Sequence, residues 1–316
     1  MRRRGDPAGR LGGLTGITGK ANLMKNMVRF LFLLMLAILL AASGGCERKQ
    51  EAPAQEASNV EATQAYRTFF GEPPTVAEGN CYALVGYYPL AAALGKISPF
   101  PLFMFNREDQ LQVVTEQLLR WGEGWDMGGV SVNPFPPGTE LLSLTRSGDL
   151  VRVELSEPAL TESDPAGQKL ILAVLGHTLA QFEGVDRVQV VAGGTLLPQQ
   201  AERGFYPDPG AVMPPGEPRA LAVAGVWEEA AANPEEVSVF FDRPVRVEEV
   251  RVSVDGRRLE GDYFTSVFDM AVVIRPKEPA LLQEGLPVTV AWRIVDRLGR
   301  KGEGEKVFAL ARVEHQ

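Results

Sequence analysis

"LAVLGHTLAQFEGVDRVQVVAGG", residues 172–194, decides how the first half of this chain folds. Leu172, Leu175, Leu179 and Phe182 recur at helical spacing, so the stretch opens as a helix with an apolar face. Gly184 stops that helix, and "GVDRVQVVAGG" then reads as a strand. Upstream, Asp164 supplies an N-cap and Pro165 occupies the first helical position. His177 sits on this helix and is one of only two histidines; the other is His315. A general base needs an orienting partner and a nucleophile, yet the residues four away are Ala173 and Gln181. His177 therefore reads as a border residue bonded to backbone or solvent, and no catalytic residue is predicted.

Outward from this stretch, "TELLSLTRSGDLVRVELSE" reads as a hairpin turning at Ser147-Gly148-Asp149. Leu142 and Leu144 alternate with polar residues on one arm, and Val151, Val153 and Leu155 on the other. "YALVGYY" (82–88) is a strand. "NREDQLQVVTEQLLRW" reads as a helix with Asn106 as N-cap, Asp109 in its first turn, and Leu111, Val114, Leu118 and Trp121 along one face. The order β-α-β-β-α-β predicts an α+β domain over residues 66–198, with two helices on one face of a small sheet. Residues 199–218, with five prolines and three glycines, read as a linker. Beyond it, strand candidates recur at 220–227, 237–242, 250–254, 270–276, 288–294 and 306–313, with turns at Asp255-Gly256 and Arg297-Leu298-Gly299. That spacing without a helix predicts an all-β Ig-like sandwich over 219–316.

The N-terminus has a different character. Lys25 and Arg29 precede 13 uninterrupted apolar residues, Phe30 to Ala42, then Ser43-Gly44-Gly45 and Cys46. Thirteen residues suit the apolar core of a signal peptide better than a membrane span. The cysteine after small residues resembles a bacterial lipobox, with Ser43 standing where an aliphatic residue is usual. Residues 1–45 thus read as leader and lipoprotein signal peptide, with Met24 and Met27 as alternative starts. Cys46 is the expected lipidation site, and 46–65 a polar, flexible tether. The chain's net charge is −8, but seven Lys/Arg against one acid in residues 1–45 leave −14 on the remainder. An acidic body without a basic stripe argues against nucleic acid. The other cysteine, Cys81, reads as a small buried residue.

"PPGTELLSL" (136–144), "DLVRVELSEP" (149–158) and the opening stretch together resemble the GerM domain of sporulation and spore-germination lipoproteins. "VSVFFDRPV" and "VDRLGR" are more weakly similar to a bacterial Ig-like module. The resemblance implies a non-enzymatic, lipid-anchored module on the extracytoplasmic face of the cell membrane, joining envelope proteins in sporulation or germination.

The search for chemistry turns up little else. One internal histidine and one cysteine cannot supply a zinc site, no phosphate loop follows a strand, and no cofactor is predicted. The carboxylates of "EGWD" (Glu123, Asp126) and "ESD" (Glu162, Asp164) read as turns and a cap. Trp121, Trp125 and Phe135 form a candidate interaction surface: exposed, they could stack sugars, which makes a peptidoglycan- or glycan-binding module the alternative function.

Overall fold

The computed structural model describes residues 60–76, 79–105, 108–120, 131–229, 231–266 and 268–314. Cys46, Asn106, Trp121, Glu123, Trp125, Asp126 and His315, with the leader and signal peptide, lie outside the described residues. Among the described residues no helix is long and apolar enough to cross a membrane.

The first half holds two small sheets rather than one. One has the order β1 (Val60–Ala62), β2 (Cys81–Pro89), β3 (Ile97–Met104). The other has the order β4 (Leu141–Ser147), β5 (Leu150–Leu155), β6 (Arg187–Ala192), β7 (Thr195–Leu196). Among the described residues, four helices accompany them: α1 (Gln64–Phe70), α2 (Gln110–Leu119), α3 (Pro158–Thr161) and α4 (Pro165–Leu179). The α4 helix packs against both β2 and β6, and every residue from Ile171 to Gly176 is buried. This corrects the expectation of a helix lying on one face of one sheet: apolar residues wrap around α4 because it has a sheet on each side. Its start is as predicted, since the Asp164 carboxylate accepts the Gly167 amide at 2.6 Å.

The polar residues of α4 explain why β1 can stop after three residues. Past Ala83, the β1-side edge of β2 is completed by side chains. The Gln181 amide accepts from the Val85 N–H (2.8 Å) and donates to the Val85 carbonyl (2.7 Å). Thr178 Oγ1 accepts the Tyr87 N–H at 3.2 Å. On the other side, Val85 and Tyr87 face Pro101 and Pro99 of β3. With those N–H groups spent on α4, proline can occupy the partner positions, because β2 needs no donor there. The prolines hid β3 from pattern reading, and they leave its outer edge without donors at two positions.

Two local readings change. Helix α2 begins at Gln110, with Asp109 at the cap position in a left-handed conformation (φ 57°) instead of within the first turn. In β4 the register shifts between Leu141 and Ser143, so Leu142 faces solvent at 56% exposure while Leu141 and Leu144 turn toward the core. A bulge of this kind adds one residue and resets the alternation.

Residues 199–218 are bound along the first domain as a strap. Gln200 pairs with both the N–H and the carbonyl of Val190, Phe205 exchanges backbone hydrogen bonds with Val188, and the Met213 N–H donates to Ile97 O. The strap thereby closes the outer edge of β6, for the same reason that Gln181 closes β2: a buried strand edge must find partners.

The second half forms one eight-stranded sheet, not two separate ones. Its strands are β8 (Ala220–Trp227), β9 (Glu236–Phe241), β10 (Val245–Val254), β11 (Arg257–Arg258), β12 (Gly261–Thr265), β13 (Ala271–Pro276), β14 (Pro287–Asp296) and β15 (Lys301–Glu314). Their order is β11-β10-β14-β15-β8-β9-β13-β12. The long β15 runs antiparallel to β14 through Ala309 and parallel to β8 from Leu310 onward, so one strand serves both layers. The sheet curls over a single core that includes Trp227, Val239 and Phe241 from one layer and Val252, Val290 and Ile294 from the other. The Asp255-Gly256 turn is as predicted, with both residues at positive φ (49° and 74°).

Gly302, on the inner face of β15, lies under the strap. A side-chain carbon there would overlap the Pro218 carbonyl oxygen. Gly302→Ala is therefore expected to destabilise the protein by about 1–3 kcal/mol, since backbone must move to relieve the overlap. Gly216→Ala is the control, because its φ is not left-handed and nothing lies within 4 Å of a carbon added there. Urea midpoints of the two variants check this.

Candidate functional site

Among the described residues the two buried charged side chains, Arg243 and Asp296, lie at the seam between the halves. Two segments singled out in the sequence meet there. "FFDRPV" supplies Asp242 and Arg243, and "VDRLGR" supplies Asp296 and Arg300. Arg243 is only 2% exposed and Asp296 only 5%. Arg243 donates to Asp296 Oδ2 (3.3 Å), to both oxygens of Asp242 (3.0 and 2.7 Å) and to Gly216 O of the strap (2.9 Å). Asp296 Oδ1 accepts the N–H groups of Leu298 and Arg300, so it also shapes the β14–β15 turn. Arg300 reaches out of the second domain to Pro215 O (3.3 Å) and to Phe69 O at the end of α1 (2.7 Å). These arginines fix both the strap and α1 to the second domain.

Beside this network lies a groove of about 770 Å³ between the domains. Tyr88, Phe100 and Ser98 line it from the first domain, the strap from Met213 to Pro218 crosses it, and Trp292, Glu303 and Lys306 close it from the second. The volume falls in the range of ligand clefts. Trp292 lies against Gly304 of β15, where an added carbon would stand 2.6 Å from the indole.

His177 lies at a second, smaller hollow of about 380 Å³, with Phe69, Tyr87, Pro207, Pro209, Val212 and Pro214. Its Nε2 is 2.9 Å from the Asp208 carbonyl and therefore donates to it. Its ring lies 5.3 Å from that of Tyr87. Burial holds His177 below its ordinary value of 6.5, partly opposed by the Asp208 carbonyl and charge. The histidine thus clips the strap to α4, in keeping with its reading as a backbone-bonded residue. Its neutral form is favoured in the folded state. Its contribution is therefore present above pH about 6.5 and lost as pH falls, because the unfolded chain then takes up more protons. His177→Gln keeps a donor without a titrating ring. Stability curves of wild type and this variant should diverge on acidification, wild type falling faster.

The remaining residues are placed as follows. Phe135, read as part of a candidate interaction surface, is 5% exposed and sits in the core of the first domain, so its ring is not offered to a ligand. Trp121 and Trp125 lie outside the described residues. Cys81 is fully buried and its thiol is pushed up, chiefly by burial, which makes it a poor nucleophile. Among the described residues no group of three His, Cys, Asp or Glu is placed to hold a metal ion. The arginine–aspartate network and the groove were not anticipated. The only sequence signal for the network was the pair of short motifs, each of which looks like turn chemistry until the fold joins them.

The geometry defines a class: a mostly β scaffold of two joined domains with a cleft between them. Residues 91–197 match the family model Germane, described as sporulation and spore germination. No curated protein sequence matches the chain. Among solved structures, the chain is similar to the first GerMN domain of the sporulation protein GerM from Bacillus subtilis. That match has 16% identity, 41% of this chain and 96% of that one covered, and a TM-score of 0.32. It is similar also to PcoC, a methionine-rich copper resistance protein from Escherichia coli, at 18% identity with 30% and 99% covered and a TM-score of 0.23. A third is a lipoprotein from Clostridium perfringens, at 18% identity with 36% and 75% covered and a TM-score of 0.25.

Proposed function

We propose that this chain is a non-enzymatic envelope lipoprotein, anchored through Cys46 on the extracytoplasmic face, that mediates protein–protein assembly in sporulation or germination. The observation that carries the reading is the family match over residues 91–197. The fold supports it in a particular way. The β3 edge is blunted by Pro99 and Pro101, whereas β4, the terminal strand of its sheet, contains no proline and exposes Leu142. Beyond its bulge, an edge strand without proline keeps outward donors that can template a partner's strand. The second domain acts as a spacer whose angle to the first is held by Arg300 and Arg243.

Crosslinking in intact sporulating cells, with partners identified by mass spectrometry, tests this. Recovery of envelope proteins that is lost on Leu142→Asp, a change at an exposed side chain of β4, would support assembly through that strand. A chain that recovers no envelope protein would refute it.

A second reading, wall-glycan binding, is favoured by the groove rather than by Trp121, Trp125 and Phe135. Aromatic Trp292 and Phe100 face it together with charged Lys306 and Glu303. Retention on purified sacculi that is abolished by Trp292→Ala would favour it. Copper is not carried over from the copper resistance protein, because residues 219–316 contain one methionine, one histidine and no cysteine.

A further inference from the structure

We infer that the pole formed by Phe103 and Phe105 of the first domain with Phe268 of the second is a membrane-facing surface, seated on the lipid interface beside the anchor. The inference rests on the proposed lipidation of Cys46.

The argument starts from an aromatic patch that spans the two domains. Phe103 stacks on Phe268 with ring centroids 4.2 Å apart and planes within 6°. Phe105 follows at 5.8 Å from Phe268 and is 60% exposed. Phe268 sits in the β12–β13 turn, and its neighbour Asp269 pairs with Arg297. Next to Arg297 comes Leu298, also exposed, and both lie against Gly71 at the end of α1. Exposed apolar side chains from two domains, rimmed by an ion pair, mark a surface that meets something apolar.

Strand order says what lies nearby. Val60 pairs with Cys81 in a parallel ladder, and Tyr82 pairs with Met104 in an antiparallel one. The chain entering from the tether and the end of β3 therefore share one pole of the sheet. From Cys46 to Val60 is 14 residues. A chain of that length spans at most about 50 Å. The opposite pole lies at the other end of the nine-residue β2, roughly 25–30 Å further away. A lipid on Cys46 thus holds the phenylalanine pole close to the bilayer and the far pole away from it. Phenylalanine with a charged rim suits the headgroup–acyl boundary, where the ring enters and the ion pair stays wet.

Leu94 separates position from mere exposure. It is the most exposed large apolar residue described, at 99%, but it lies in the β2–β3 turn at the far pole. The test uses the full lipidated chain in vesicles of phosphatidylethanolamine and phosphatidylglycerol, doped with a phosphatidylcholine carrying an acyl-chain diazirine. After photolysis, lipid adducts are mapped by mass spectrometry, and the N-terminal peptide reports the acyl groups on Cys46. With Cys46 acylated, adducts should concentrate on peptides containing Phe103, Phe105 and Phe268 and be several-fold rarer on the Leu94 peptide. Phe105→Ser should reduce them several-fold without altering the fold, since that ring lies outside the core; Leu94→Ser should change nothing. Adducts equal at both poles, or a crosslinked protein at Phe105 in place of lipid, would overturn the inference while leaving the anchor standing. A Cys46 peptide without lipid would overturn the anchor, and this inference with it.

Discussion

Replacing Asp296 by alanine is expected to lower stability by about 2–4 kcal/mol, because it removes one of the two carboxylates that balance a buried arginine. Arg243 is 2% exposed, and among the described residues Asp296 is the one carboxylate that touches both Arg243 and Arg300. Without it, Arg243 keeps Asp242 but loses its second counter-charge in a site closed to water. The turn loses two accepted N–H groups as well. The second consequence concerns the seam. Arg300 would no longer be aimed at Phe69 O and Pro215 O, so the strap and α1 lose their hold on the second domain. The measurable result is a lower urea midpoint with faster proteolytic cleavage between residues 207 and 218. Asp296→Asn keeps an acceptor for the turn amides and should lose less. If Asp296→Ala unfolds at the wild-type midpoint, the network has been misjudged as structural.

Gln181→Leu is expected to cost about 2–4 kcal/mol, since it leaves the buried N–H and carbonyl of Val85 without partners. The change also removes the acceptor for the Thr63 hydroxyl, the residue that caps α1 through the Tyr66 amide. The effect should therefore spread to the N-terminal end of the first domain. Amide exchange gives the sharpest check: Val85 and Tyr66 should lose protection together, whereas β4 and β5, in the other sheet, should keep theirs. Gln181→Glu retains an acceptor for the Val85 N–H but loses the donor, and should fall between the two. Wild-type protection at Val85 in the leucine variant would show that the glutamine is dispensable.

Both predictions turn on residues whose importance was invisible in the linear chain. What was legible followed from period and punctuation. The hairpin at 141–155, the helix opening at Asp164-Pro165 and the turn at Asp255-Gly256 are local, and each reports itself through spacing or a turn residue. Six of the eight strands of the second half were anticipated for the same reason, with ends displaced by up to five residues; the short β11 and β12 were not. β3 was missed because Pro99 and Pro101 look like strand breakers, and they are tolerated only because Val85 and Tyr87 spend their N–H groups on α4. Leu142 was assigned to the wrong face because a bulge shifts the alternation and leaves no fixed sequence mark. The aromatic trio failed at Phe135 because a proline-flanked ring in a loop can close a core as readily as it can stay exposed.

The sequence by itself determined the elements that depend on neighbours within a few residues, the acidic character of the body, and the similarity of the 91–197 segment to a sporulation and spore-germination family. The tertiary structure alone decided that α4 lies between two sheets, that the proline-rich segment is a bound strap, and that "FFDRPV" and "VDRLGR" form one buried ionic network. The physical reason is common to all three. A buried strand edge or charge must be partnered, and its partner lies wherever the fold brings a donor or acceptor, often a hundred residues away.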